Sequence, residues 1–429
     1  MKNILFTLFI YIIGTPLLAQ DAELLMFLNN HEDIDVQPCL TPDGYVVAYT
    51  LFIEQPIDHL DPSSGTFKQK VFLSHLDKDS SMVLVTEGYN RGVNRMYELS
   101  SLIGANQLDI EHRFYGDSKP NNLDWQYLTI QQAAADYHRI RDLFAAFYNG
   151  SWLATGISKG GQTAICYRYL YPDDVKATVP YVAPLNLSLE EKRIYTFLDN
   201  VGTSSCRKKI RAIQQRLLDN KNEVMTYLEF YAKGAGLTFD YHENRLEAAM
   251  EYAILEYPFS FWQWGHSCED IPSAKSSIKD LTNYLLEVSG IDFFSDKDIA
   301  YYEGHYYQCG AQYGYYGYDP TPFGDKISAI NWDEENFPSA IFMPEGTTIT
   351  FNPRFVQEVY DWTQTEANQF IYINGANDTW SATSVPVSDK VDALWFNMEG
   401  QSHGTARIAN MSEKEKATLL RALTHWLNN

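Results

Sequence analysis

Six consecutive residues, Gly156-Ile-Ser-Lys-Gly-Gly161, constrain this chain more than any others. They follow the apolar run Trp152 to Thr155 and precede a helix-like stretch that begins Gln162-Thr-Ala-Ile-Cys. A strand that turns sharply into a helix leaves no room for a Cβ beside the residue at the apex, so small residues must flank it. A bare Gly-x-Ser-x-Gly match often marks an ordinary turn. The preceding strand and following helix are the context that makes it a nucleophile elbow. Ser158 is therefore the expected nucleophile.

The rest of the chain supplies a scaffold for such an elbow. Strand-like runs occur at Tyr45 to Ile53, Phe67 to Leu73, Met82 to Thr86, Gln107 to Ile110, Trp152 to Thr155 and Ala177 to Val182. Between them, Thr129 to Phe147 carries Ala133, Tyr137, Ile140, Phe144 and Phe147 at helical spacing. Strands alternating with helices predict an α/β class with a mostly parallel sheet covered on both faces, here an α/β-hydrolase core. From about residue 186 to 337 the texture changes to long amphipathic helical patterns, Arg207 to Phe230 and Glu243 to Leu255 among them. Strands resume at Phe370 to Asn374 and Ala393 to Asn397, and a helix from Ser412 to Leu427 closes the chain. The expected organisation is a core in two parts, 21–185 and 338–429, with a helical cap inserted at 186–337. Within the cap, the tyrosines of Tyr301 to Tyr318, interleaved with glycines, predict an irregular aromatic loop that packs the cap on the core or walls a substrate site.

A serine at an elbow is inert without a base to take its proton and an acid to orient that base. In this fold the order along the chain is nucleophile, acid, base. Asp378 follows the strand ending at Asn374, and His403 lies in the loop after the next strand, so both sit where strand ends present catalytic groups. His425, the other histidine beyond Asp378, falls within the terminal helix and is the weaker choice of base. The oxyanion hole needs two backbone N–H groups. One is expected from Lys159, next to the nucleophile, and the second from Tyr89 in the loop after Met82 to Thr86, with Gly88 its close alternative. Glu87, in that same loop, is either a structural carboxylate or a holder of a substrate's ammonium group. Glu111 and Arg113 are expected to form a buried ion pair that braces the site, and His112, which precedes the serine, is not read as the base.

Charge and cysteine content narrow the setting. The formal net charge is −22 with no basic patch, which argues against nucleic acid or an anionic membrane surface as partner. Residues 1–20 read as a secretory signal peptide: a positive start, the apolar run Ile4 to Ile13 and a small residue, Ala19, near the end. The run is short for a membrane anchor, and the mature chain is expected to be secreted or periplasmic. Five cysteines in an oxidising compartment leave at least one unpaired, expected to be Cys166 on the helix after the elbow. Cys206 with Cys268, both in the inserted region, is the expected pair. No Cys-x-x-Cys or His-Glu-x-x-His spacing occurs, so neither a metal site nor a cofactor is expected. Oligomeric state is not legible.

Four segments together look familiar: Thr-Glu-Gly-Tyr (86–89), Glu-His-Arg-Phe-Tyr-Gly-Asp-Ser (111–118), Gly-Ile-Ser-Lys-Gly-Gly (156–161) and Asn-Gly-Ala-Asn-Asp-Thr-Trp (374–380). They resemble the secreted serine tripeptidyl aminopeptidases of bacteria and, more distantly, prolylcarboxypeptidase and the lysosomal dipeptidyl peptidases. The resemblance spans nearly the whole mature chain. It implies an exopeptidase that removes short peptides, tripeptides foremost, from free N-termini, with Ser158, Asp378 and His403 on the family's triad. One departure matters: Thr379 stands between acid and tryptophan where prolyl-specific relatives favour proline, so a proline preference is not carried across. The triad alone does not distinguish amide from ester, and a carboxylesterase or lipase on the same fold is the alternative.

Overall fold

The computed structural model describes residues 15–243, 245–330 and 341–428. The expected signal peptide lies outside the described residues up to residue 14, as does the expected cap boundary at 337. Among the described residues nine strands form one sheet: β1 (Ile34–Pro38), β2 (Val47–Pro56), β3 (Thr66–His75), β4 (Met82–Thr86), β5 (Asn106–Ile110), β6 (Trp152–Ile157), β7 (Ala177–Tyr181), β8 (Phe370–Gly375) and β9 (Ala393–Met398). Their order across the sheet is β1-β2-β3-β5-β4-β6-β7-β8-β9. The pairs β1–β2, β2–β3 and β3–β5 are antiparallel, and all the others are parallel.

The central strands β4 to β8 are buried along almost their whole length, and β4, Met-Val-Leu-Val-Thr, reads as a nearly unbroken apolar run because both of its faces are covered. In β4 the period of two is still visible in what each side chain meets. Met82 and Leu84 belong to one buried cluster with Tyr137, Ile140 and Phe144 of the helix Ile130–Ala145, while Val83 and Val85 belong to another with Leu419, Leu423 and Trp426 of the helix Glu413–Asn428. Burying each such side chain contributes about 1.5–3 kcal/mol. The sheet is thereby sandwiched, and its parallel strands all direct their C-terminal ends to one rim.

Between β7 and β8 the described chain is helical or irregular, apart from an isolated bridge between Glu190 and Tyr315. The expected helix Arg207 to Phe230 is two helices, Ser204–Leu218 and Lys221–Ala235. The break falls at Asn220, whose side-chain amide donates to the Arg216 carbonyl at 2.8 Å and so caps the end of the first helix. Cys206 and Cys268 form a disulfide that links this helix to the segment after Trp264. Cys39, Cys166 and Cys309 are unpaired, the last two buried.

Two other expectations are corrected. Glu111 and Arg113 do not pair with each other. The Arg113 guanidinium grips Asp136 with Nε and an Nη at 2.7 and 2.9 Å, and its remaining donors take the carbonyls of Pro56, Ile57 and Tyr127. Glu111 instead accepts from the amides of Arg91, Asp117 and Ser118 and faces Lys70 at 3.6 Å. Both residues lie past the end of β5, where the chain has left the sheet, and Lys70 and Asp136 reach them from other elements. The segment 301–318 is also not an irregular loop: 303–308 is α-helical and 309–313 continues as a π-turn. Only 314–318 runs without helix.

Candidate active site

The elbow stands at the end of β6. Ser158 has φ 57° and ψ −123°, a conformation costly for a residue with a side chain and held here by its surroundings. Its N–H donates to the Tyr181 carbonyl at 2.8 Å. A Cβ on Gly160 would come within 2.5 Å of the Thr86 carbonyl oxygen, so the helix could not begin this close to β4 with any larger residue. The Thr86 hydroxyl adds a bond to the Gly160 carbonyl at 2.9 Å.

Asp378 and His403 come from the loops after β8 and β9. Asp378 is fully buried, and its Oδ2 lies 2.7 Å from Nδ1 of His403. Its Oδ1 accepts from the Trp380 N–H at 3.1 Å, which fixes the rotation of the carboxylate. The helical region takes part in the arrangement. The Gln263 carbonyl accepts from the His403 N–H at 2.9 Å, the Trp264 ring meets the imidazole edge-on at 6.0 Å, and the Phe259 carbonyl accepts from the Thr379 hydroxyl. Ser158 and His403 line one cavity of about 570 Å³, together with Glu87, Tyr89 and Lys159. The six residues singled out in the sequence thus include five that share this cavity and one, Asp378, buried directly behind His403.

The loop after β4 is pressed against the elbow. A Cβ on Gly88 would lie 2.7 Å from Cβ of Lys159, and the Lys159 ammonium donates to the Gly88 carbonyl at 2.5 Å. That ammonium is buried among the rings of Tyr115, Tyr89 and Tyr313, at 4.9, 5.3 and 5.6 Å. Burial pushes its pKa down to about 7, with the Cys309 thiol opposing. Desolvation, reinforced by this same lysine, keeps His112 and His305 neutral. Glu87 faces the cavity, but one of its oxygens already accepts from the Tyr97 hydroxyl and lies 3.7 Å from Arg91.

Sequence reasoning missed Glu256. It lies on the helix Leu246–Trp264, just before Pro258. Proline has no N–H for the carbonyl four residues back, and the Ile254 carbonyl is satisfied instead by the Gln214 amide at 2.7 Å. The Glu256 carboxyl lines the same cavity as Ser158 and accepts from the hydroxyls of Ser260, Tyr316 and Tyr318 at 2.6, 2.9 and 2.9 Å. Burial raises its pKa from 4.5 to about 7, partly offset by those hydroxyls. The unfolded chain releases this proton near pH 4.5 and the folded one near 7, so stability falls as pH rises through that window. We expect the stability difference between wild type and Glu256→Gln to shift in the variant's favour by about 3 kcal/mol from pH 4 to pH 8. Thermal melts of both proteins across that range check it, and parallel curves would refute it.

Away from the cavity, His138, Asp142 and Asp174 place ligand-type atoms within 4.8 Å of one another. His138 Nδ1 already meets Asp174 at 2.8 Å, and Asp174 accepts from Tyr167 at 2.5 Å, so the cluster is satisfied by its own ion pair. Among the described residues no helix is long and apolar enough to cross a membrane.

A family model described as PS-10 peptidase S37 matches residues 26–428. A prolyl tri/tetrapeptidyl aminopeptidase of Streptomyces mobaraensis is 32% identical over 380 residues, which cover 87% of this chain and 78% of that one. A lysosomal Pro-X carboxypeptidase of Mus musculus is 28% identical over 168 residues, 34% of each chain. Among solved structures, a proline iminopeptidase of Mycobacterium smegmatis aligns at 14% identity over 84% of this chain and 96% of that one, with a TM-score of 0.39.

Proposed function

The chain belongs to the PS-10 peptidase S37 family of serine peptidases, and from that premise we propose that it releases short peptides, tripeptides foremost, from free N-termini through an acyl-enzyme on Ser158. The observation that carries the proposal is the 2.7 Å contact of Asp378 with His403 beside the cavity that holds the elbow serine.

Asp378 fixes the imidazole with its proton on Nδ1, leaving Nε2 to take the Ser158 proton as the hydroxyl attacks the scissile carbonyl. The amides of Lys159 and Tyr89 hold the developing oxyanion, the first at a helix N-terminus where the backbone dipoles add to the attraction. His403 then returns the proton to the leaving amine, and water repeats the sequence on the acyl-enzyme.

The inserted segment 186–337, helical over much of its described part, acts as a cap. Its Gln263 and Trp264 touch the base, and a cavity of about 570 Å³ beneath it suits a short peptide segment and excludes a folded protein. The chain acts outside the cytoplasm: the leader-like residues 1–20 and the Cys206–Cys268 disulfide both fit an oxidising compartment.

Cleavage of a tripeptide amide substrate with a free N-terminus, set against its N-acetylated form, tests the specificity. We expect the free form to be cut at least about 100-fold faster in kcat/KM, as for a charged group whose site is left unpaired when the charge is removed. Equal rates would contradict an aminopeptidase. High turnover of short acyl esters with none of any peptide would favour an esterase instead.

A further inference from the structure

Eight Asp and Glu residues are buried among the described residues, and seven of them have a basic partner within ion-pair distance. Glu251, one helical turn or so before Glu256 on the same helix, has Lys221 and three backbone amides. Glu256 is the exception. Among the described residues its partners are three neutral hydroxyls, and its carboxyl faces the catalytic cavity.

A buried carboxylate without a cation carries a desolvation penalty that neutral donors do not fully offset. A position that faces an open cavity can have that deficit met by something entering it. The lysine that lines the cavity, Lys159, is tied to the Gly88 carbonyl and enclosed by tyrosine rings. Two other carboxylates line the cavity: Glu87, which is already engaged by Tyr97 and Arg91, and Asp298, which is only partly buried.

We propose that Glu256, presented by the helical region, receives the N-terminal ammonium of the bound peptide and is the residue that makes the enzyme an aminopeptidase. This rests on the exopeptidase reading above. The three hydroxyls orient the carboxylate, Oε1 held by Ser260 and Oε2 by Tyr316 and Tyr318, so that its remaining lone pairs are presented to the ligand. The Tyr316 ring is in turn stacked on Phe259 at 3.9 Å and set edge-on to Trp380 at 5.5 Å, which ties the anchor to the loop that carries Asp378.

The test compares wild type, Glu256→Gln and Glu87→Gln on a tripeptide amide with a free or an acetylated N-terminus. Fluorophosphonate labelling of Ser158 serves as the check that each variant is folded at the elbow. We expect Glu256→Gln to lose about 100-fold in kcat/KM on the free substrate and to bring the free-to-acetylated ratio close to one. Retention of the wild-type ratio in a labelled Glu256→Gln, or its collapse in Glu87→Gln alone, would overturn this inference and leave the exopeptidase reading standing. A wild-type enzyme that ignores acetylation would overturn both. If Glu256→Gln does not label, a crystal structure of Ser158→Ala with the tripeptide amide decides: an ammonium within about 3 Å of Glu256 supports the proposal, and one against Glu87 or Asp298 refutes it.

Discussion

Replacing Ser158 with alanine is expected to lower kcat on a tripeptide amide by about 10⁵ to 10⁶-fold while the protein stays folded. The size follows from the division of labour in the cavity. Without the hydroxyl no acyl-enzyme forms, and the amides of Lys159 and Tyr89 and the binding surface can only assist direct attack by water. The substitution removes one oxygen and keeps the Cβ, so the backbone at φ 57° carries the same strain before and after. Steady-state rates with a melting curve for each protein make the check. A loss below about 100-fold in a folded variant would mean that the nucleophile is another group.

Asp378→Asn is expected to cost about 10⁴-fold in kcat, with little change in KM. The asparagine side chain fits the same space, but its amide donates a proton toward Nδ1 where the carboxylate accepted one. The imidazole is then held in the wrong tautomer, with its proton on Nε2 and no free lone pair for the serine. Because Asp378 is fully buried and also caps the Trp380 amide, the variant should be judged by its rate beside a melting curve. An unchanged rate in a folded variant would remove Asp378 from the mechanism.

How much of this was legible in the chain divides along a physical line. The strands and the three loops that bear Ser158, Asp378 and His403 announce themselves locally: apolar runs end in turn residues, and a parallel sheet sends every such end to the same rim. What depends on partners far away in sequence was hidden. Glu256 sits in the stretch Leu246-Glu-Ala-Ala-Met-Glu-Tyr-Ala-Ile-Leu-Glu, where it reads as one more glutamate on a helix. Its meaning comes from Tyr316 and Tyr318, some sixty residues on. Glu111 and Arg113 were correctly marked as buried but given to each other, because Lys70 and Asp136 approach from other elements.

The tyrosine-rich segment misled for a related reason. Glycine lowers helix propensity, so 301–318 read as a loop, yet Gly304 lies where an added Cβ would meet Tyr115 and Leu128 at 3.3 Å. Close packing, not flexibility, is what that glycine serves, and the packing holds 303–313 helical. β1 was missed altogether. It is an edge strand with one buried residue in five, Ile34, and so carries no alternating apolar signal.

Reaction of the intact protein with a fluorophosphonate, followed by peptide mapping, bears most directly on the claim that Ser158 is activated by His403 and Asp378. The account predicts one stoichiometric adduct on the peptide containing Gly156-Ile-Ser-Lys-Gly, formed in wild type and abolished in His403→Ala. No adduct, an adduct on another serine, or labelling at an undiminished rate without the imidazole would contradict it.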